Sequence, residues 1–491
     1  MTTTADTLAL LKEAQANPDP RLAKAITQAT GLVAFDLQAG AKQLIPVITP
    51  LRNMIPRVPG AGGTATNWKS VTGININGLA LGVSEGNRSG VIATSVTSNM
   101  AAYKGLGLED NVSFEADYAA QGFDDAKAIA AQNLLRSVMI GEEKLIVGGN
   151  TSLALGQSPT PTLVALGSGG TLLNAAYNVY CVALAFDGFV NSSVANGVPT
   201  SVTRTNADGT SDTYGGGSAR ISAAANITPA ANGSIQASVP PVRGAVAYAW
   251  FWGTGGAPNE KLGAITTINS VLITAAPAGS QLAGTAGLAS DNSQNALVFD
   301  GLISQVANPT SNAYWQTLAT GTPGVGSTLT ADGAGGVVEV DAALKSFWDN
   351  FRLSPDLILV SSQEMMNIAK KVLSGSGASL FRFNLDNGGG AVNAGAVVGN
   401  YLNRYTMDGG QLVKVLLHPN VPAGTILFYS RTIPYPLSNV SNVLQMKTRR
   451  EYYQIEWPLK ARRYEYGVYV DEVLQNYFPP AFGMLTNIAN G

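Results

Sequence analysis

The sequence predicts an α+β chain with an all-β sandwich inserted near its middle. Three observations lead there. A long helical pattern runs from Asp124 to Val147, strand patterns with alternating side chains close the chain, and charge almost vanishes in between. Of 30 Lys+Arg and 32 Asp+Glu, only eight fall between Ser152 and Gly287: Asp187, Arg204, Asp208, Asp212, Arg220, Arg243, Glu260 and Lys261. That stretch is rich in Gly, Ser, Thr, Ala and Pro. It carries short apolar runs (Tyr177–Phe186, Ala245–Trp252) between turn signals such as Asp187-Gly188, Asp208-Gly209 and Asn232-Gly233. No helical period lasts there, which is the pattern of a sandwich.

The remaining elements follow in chain order. Helix-compatible segments containing Leu8, Leu10 and Leu11, then Leu22, Ala25, Ile26 and Ala29, are separated by Asn17-Pro18-Asp19-Pro20. Pro46, Pro50, Pro56 and Pro59 then forbid a continuous helix and favour an extended arm. Trp68 to Ile76 and Asn111 to Tyr118 read as strands, with Gly78, Gly82, Gly86 and Gly90 punctuating the span between them. This predicts a two-stranded excursion, marginal alone and plausible when laid on a partner. The long helix has Asp124 and Asp125 at its start, Gly148-Gly149 at its end, and an apolar stripe of Leu134, Leu135, Val138, Met139, Leu145 and Ile146. After the insert come a helix at Val340–Phe351, a buried strand at Leu357–Val360 and a helix at Gln363–Leu373. Glycine-rich loops follow, one to Gly377 and one at Gly388-Gly389-Gly390, then strands near Val413–Leu417 and Thr425–Tyr429. Glu451–Trp457 and Arg463–Val470 are the last strands. They carry a mixed-sign band of Lys447, Arg449, Arg450, Glu451, Glu456, Lys460, Arg462, Arg463 and Glu465.

The totals narrow the function. A length of 491 residues suggests about two to four domains. A net charge of −2 argues against a protein that works by neutralising phosphates. Only 13% of residues are charged, against about 25% in an average soluble protein, while 45% are hydrophobic. A surface so poor in charge suits a subunit that buries itself against copies. Cys181 is the only cysteine, so no intrachain disulfide forms, and its apolar setting predicts a buried inert thiol. Met1 to Pro20 lacks the basic and apolar regions of a signal peptide, and no apolar run is long enough for a membrane span. The expected setting is a reducing cytoplasm, or departure from it without the secretory route.

Chemistry finds little purchase. The only histidine, His418, follows a strand and reads as a hydrogen-bonded loop residue; with Cys181 it rules out histidine clusters and most triads. No phosphate-binding glycine loop is present, and Gly105-Leu106-Gly107 and Gly167-Ser168-Gly169 read as turn glycines. Asp124-Asp125 and Glu142-Glu143 are adjacent on a helix, so each pair diverges. Trp250, Phe251 and Trp252 could line a sugar platform but alternate as a sandwich-core strand does. No catalytic residue, cofactor or metal is expected. A cell-surface or carbohydrate-binding β-module is the rival reading, and a carboxylate hydrolase is a second.

The order of elements resembles the Hong Kong phage-type major capsid fold of tailed bacteriophages. The resemblance is carried by Trp68 opening the excursion, Ser84-Glu85-Gly86-Asn87 at its tip, and Asn111-Val112-Ser113-Phe114-Glu115 leading to the helix. Glu142-Glu143-Lys144-Leu145-Ile146-Val147-Gly148-Gly149 ends that helix, and Phe299-Asp300-Gly301-Leu302, Pro355–Ser361 and the Tyr469–Phe478 run carry the rest. The insert, through Tyr177-Asn178-Val179-Tyr180 and Asp187-Gly188, is similar to immunoglobulin- or fibronectin-like modules on virions. The resemblance implies an N-terminal arm (1–65), an E-loop (66–121), a spine helix (122–151), the immunoglobulin-like insertion (152–287), a P-domain continuation (288–356), an A-domain (357–440) and C-terminal P-domain strands (441–491). It implies pentamers and hexamers tiling an icosahedral virion shell around packaged double-stranded DNA, assembled in a bacterial cytoplasm with the insert outside. A separate scaffolding protein, a portal protein and a possible decoration protein are the implied partners, with no membrane. Trp68, Lys69, Glu85, Asn87, Arg88, Arg449, Arg450, Arg462 and Arg463 are the implied assembly-interface residues. Some relatives cross-link a lysine to an asparagine; Lys69 and Lys104 match that motif in neither case and read as surface lysines.

Overall fold

The computed structural model describes residues 5–9, 12, 42–121, 124–254, 260–374 and 399–491. Most of the expected N-terminal helices (Leu10, Leu11 and Leu22 to Ala29), the loop at Gly377 and Gly388-Gly389-Gly390 lie outside these residues.

A short helix α1 (Pro50–Met54) and strand β1 (Arg57–Pro59) precede a hairpin of β2 (Ala65–Ile74) and β3 (Thr94–Ala102). Strand β4 (Lys104–Ser113) leads to α2 (Phe114–Ala120), whose first turn is capped by Ser113, and then to the long helix α3 (Ala126–Gly148). At 23 residues α3 is about 35 Å long. The Asp125 carboxylate accepts the Lys127 and Ala128 N–H groups and fixes its start. Its end is set by two close approaches. A Cβ on Gly148 would lie 2.0 Å from the Phe186 ring, and one on Gly149 would lie 2.3 Å from the Phe299 carbonyl oxygen.

The insert follows as β5 (Thr162–Leu166), β6 (Tyr177–Leu184), α4 (Phe186–Asn191), the hairpin β7 (Ser201–Thr205) and β8 (Ser211–Gly215), β9 (Ala225–Ile227), β10 (Ser234–Ser238), β11 (Ala247–Thr254), β12 (Lys261–Thr266) and β13 (Ser270–Ile273). Two sheets, β13-β10-β5 and β12-β11-β6-β9, enclose a core of Val179, Cys181, Ile235, Trp250 and Ile273. Because β6 and β11 alternate, Val182, Leu184, Ala249 and Phe251 point the other way into a second core with Val198 and Leu288. Asp187-Gly188, read as a turn, begins α4 instead. The insert also runs past Gly287: Leu288 is in its core, Ser218 bridges Asn292, and the Asn295 N–H reaches the Asn150 carbonyl at 2.7 Å. The chain rejoins the main body where the Gly301 N–H donates to the Gly149 carbonyl at 2.8 Å.

Helix α5 (Leu302–Ala307), β14 (Tyr314–Thr317), α6 (Val338–Phe351), β15 (Leu357–Val360), α7 (Ser362–Ser374), β16 (Asn400–Asn403), β17 (Gln411–Leu417) and β18 (Ile426–Tyr429) come next. Strands β19 (Leu444–Glu456), β20 (Arg463–Asn476) and β21 (Phe482–Thr486) complete the chain. A six-stranded mixed sheet runs β14-β21-β18-β15-β17-β16, and a four-stranded sheet runs β1-β19-β20-β4. Helix α3 lies on the second, with Leu134 and Val138 packed on Val112, Tyr466, Val468 and Val470.

Four expectations need correction. The return strand of the excursion is β3, not Asn111–Tyr118: residues 111–113 end a strand paired with β20, and 114–120 are helical. Residues 50–59 belong to the body rather than to a free arm, since Pro50 begins a helix, where its missing N–H costs nothing, and β1 pairs with β19. Residues 482–486 leave the C-terminal pair and join the six-stranded sheet. Gly105 and Gly107 lie in β4 rather than in turns; a Cβ on Gly107 would meet the Tyr469 ring at 2.2 Å.

The insert is braced against the body. The Arg243 Nε donates to the Ala307 carbonyl at 2.6 Å, and its guanidinium sits 5.1 Å from the Trp315 ring centre. The Asn487 side chain accepts the Asn269 N–H at 2.8 Å, and the Asn269 amide donates to Thr320 at 2.8 Å. Phe186 and Val246 are buried in one core with Leu344, Phe428 and Leu485 of the body.

Candidate functional site

The feature that asks for a partner is the β2–β3 hairpin. Among the described residues β2 and β3 pair only with each other, so both outer edges carry unpaired backbone groups. Register places Val71 opposite Val96 and Asn67 opposite Met100, on one face. That face and the tip are apolar and lie in solvent: Val71 is 63% exposed, Met100 72%, Ile74 73%, Leu81 97% and Val91 88%. The tip is nonetheless ordered by Asn75, whose side chain both accepts from the Leu79 N–H and donates to its carbonyl. An apolar ribbon held out into water is a surface awaiting another chain.

Leu44, Ile45 and Ile48 precede α1 and are also exposed. The chain just after them is clamped. Glu143 of α3 accepts the Leu51 N–H at 2.9 Å and the Arg52 N–H at 2.7 Å, so a carboxylate caps the N-terminus of α1. His418 Nε2 meets the same carboxylate at 2.6 Å. Glu142, one residue earlier, faces away from it, as adjacent helix positions require, and binds Arg52 at 2.9 Å, Arg57 at 2.5 Å and the Tyr452 hydroxyl. Arg57 also reaches Glu472 at 2.6 Å and Glu451 at 3.2 Å. Burial alone would lower the Arg57 pKa, but the Glu472 and Glu142 carboxylates outweigh it and raise it. Burial, reinforced by Glu142, pushes the Tyr452 hydroxyl up. The joint thus ties α1 and β1 to α3, β19 and β20.

The nine expected interface residues separate into two groups. Lys69, Glu85, Asn87 and Arg88 are exposed on the hairpin, with Asn87 donating to Ser84 at 2.6 Å. The other five engage their own chain. Trp68 stacks edge-on against Tyr477, 6.0 Å between centres, and anchors the hairpin base. Arg449 pairs with Asp471 at 2.9 Å, Arg462 with Glu115 at 3.0 Å and Arg463 with Glu465 at 2.6 Å, while Arg450 lies 3.6 Å over the Tyr453 ring. Much of the mixed-sign band is therefore spent within the subunit.

Sequence reasoning missed the joint. Glu142 and Glu143 were visible as acids in an apolar helix end, and that mismatch was the available signal; their partners lie up to 310 residues away. His418 is fully buried and bonded to Glu143 and to the Asn420 N–H. Cys181 is buried, which pushes its thiol pKa up. Trp250, Phe251 and Trp252 are core residues and offer no platform. Among the described residues no group of three His, Cys, Asp or Glu is placed to hold a metal, and no helix is long and apolar enough to cross a membrane.

No family model and no curated protein matches the chain. Several solved capsid structures match broadly at low identity over most of its length. The capsid of a native GTA particle matches with a TM-score of 0.45 at 9% identity, covering 95% of this chain and 99% of that one. The capsid of Myoviridae phage XM1 matches with a TM-score of 0.41 at 12% identity, covering 94% and 99%. A Mycobacterium phage Bobi structure gives 0.42 at 8% identity, covering 96% and 98%.

Proposed function

We propose that this chain is a shell-forming subunit, the major capsid protein of a tailed bacteriophage, and that its work is assembly rather than catalysis. The observation that carries the reading is the β2–β3 hairpin, whose apolar face and free edges lie in water while its base is fixed by Trp68 and Tyr477. Such a ribbon gains stability only when another copy covers it. In this reading the hairpin and residues 42–49 lie on neighbours, α3 and the four-stranded sheet form the wall, and the six-stranded lobe gathers around five- and six-fold axes. Double-stranded DNA fills the inside without sequence-specific contacts. A scaffolding protein, a portal and a decoration protein are the partners proposed.

The insert is read as an immunoglobulin-like module on the outer surface. The order β12-β11-β6-β9 follows the G-F-C-C′ order of such sandwiches, and β5 beside β10 follows B beside E. The Val242 N–H donates to the Tyr248 hydroxyl at 2.9 Å at the start of β11, the arrangement of a tyrosine corner. The module departs from the common plan at β13, which occupies the edge beside β10.

Light scattering with negative-stain microscopy, on the chain alone and with its scaffolding partner, tests the reading. Rings of five or six, or closed shells, are expected, and Val71→Asp with Met100→Asp should abolish them while leaving the subunit folded. A monomer under every condition overturns the proposal.

A further inference from the structure

Two arginines and three buried carboxyls meet at the α1–β1 joint, and their charges do not balance. The side chains of Glu142, Glu143 and Glu472 have no exposed surface, and Arg52 and Arg57 keep little. His418 supplies no positive charge. Its Nδ1 accepts the Asn420 N–H, so its proton resides on Nε2 and it meets Glu143 as a neutral donor. Glu143 is satisfied by that donor and two backbone N–H groups, and Glu142 by two guanidiniums and a phenol. Glu472 is served worst: one oxygen takes Arg57 and the other is buried with no partner. A third buried carboxylate here would cost more than the guanidiniums return.

Every element around Glu472 contributes a group that decides its state. Arg57 faces it from β1, Arg52 from α1, Glu142 from α3, and Tyr452 and Glu451 from β19. Across β4, Lys104 stands opposite it in register, but its ammonium donates to the Ala296 carbonyl at 2.6 Å. The adjacent Asp471 is paired with Arg449.

We propose that Glu472 is a proton-operated latch: as a neutral acid it lets the joint close, and its ionisation drives α1 and β1 off α3. Burial first, and the Glu142 charge second, raise its carboxyl to about 8 against the pull of Arg57. Once the joint opens, the hydrated group titrates as an ordinary carboxyl near 4.5. The closed state therefore binds the extra proton, and closure weakens as pH rises between those two values and no further above the upper one. Within that window the opening constant grows tenfold per pH unit, roughly three decades in all. The device belongs to the subunit and holds whether or not it assembles.

Hydrogen exchange of the Leu51 and Arg52 amides in the full chain, corrected for intrinsic rates and followed from pH 5 to 9, reads the opening directly. The expected result is a tenfold loss of protection per unit that levels off near the upper end. Glu472→Gln, a neutral isostere, should match wild-type protection at acid pH and abolish the dependence. Glu142→Gln removes the neighbouring charge and should bring the levelling to lower pH. A flat wild-type profile, an unchanged slope in Glu472→Gln, or a Glu472→Gln joint already open at pH 5 overturns the latch.

Discussion

If the insert is braced rather than tethered, cutting its braces should let it melt on its own. The perturbation is Arg243→Ala with Asn269→Ala, which removes contacts between insert and body without entering either core. Arg243 supplies a charged hydrogen bond to Ala307 at 2.6 Å, about 1.5–3 kcal/mol, and its contact with Trp315, about 0.5–1 kcal/mol. Asn269 donates to Thr320 at 2.8 Å and to the insert's own Val239 carbonyl at 2.6 Å, about 1 kcal/mol each. Its backbone N–H keeps Asn487 in the variant. The sum is about 4 kcal/mol, enough to uncouple two units held by one small interface. Calorimetry should show the wild type unfolding in one transition and the double variant in two. A single transition at the wild-type midpoint would refute the reasoning, because the insert would then be held elsewhere.

Three further outcomes follow from the same geometry. Glu143→Gln turns an amide N–H₂ toward at least one of three buried donors, at a cost of about 3 kcal/mol; trypsin should then cleave after Arg52 and Arg57 roughly a hundredfold faster at low protease. Gly149→Ala should destabilise by about 3 kcal/mol or more in denaturant unfolding, and Gly148→Ala by less, because the first meets a backbone carbonyl and the second a side chain that can turn. Joining Asn150 to Asp300 should give a chain that folds with a midpoint several degrees lower, since Phe186 and Val246 leave a shared core; an unchanged midpoint would show that the core is not shared.

What could be read from the sequence was what local physics determines. Asp125 and the Gly148-Gly149 pair frame α3 from within a few residues of its ends, and β20 shows its buried face as Tyr466, Val468 and Val470. The charge-poor insert announced itself by composition. Strand β3 did not: Thr94-Ser95-Val96-Thr97-Ser98-Asn99 has no apolar alternation, because neither face of the ribbon is buried within the subunit. The joint was hidden for a different reason. Arg52 and Arg57 look like surface charges until chain closure sets them against Glu142, Tyr452 and Glu472. Five of the nine interface residues failed likewise, since partners such as Asp471 and Tyr477 come from pairings that a window on the sequence does not contain.

The placement of the last strands sets a clock. Strand β20 lies between β19 and β4, and β21 between β14 and β18, so each sheet stays split until residues 463–486 have emerged from the ribosome. Until then α3 has no floor beneath it and the Arg57 clamp has no Glu472 to grip. A nascent chain therefore displays its sticky hairpin for most of its synthesis without the body that orients it. Neighbouring polysomes would be the first place for mispairing, and chaperones that shield residues 65–102 during translation would raise the yield of competent subunits more than any that act afterwards.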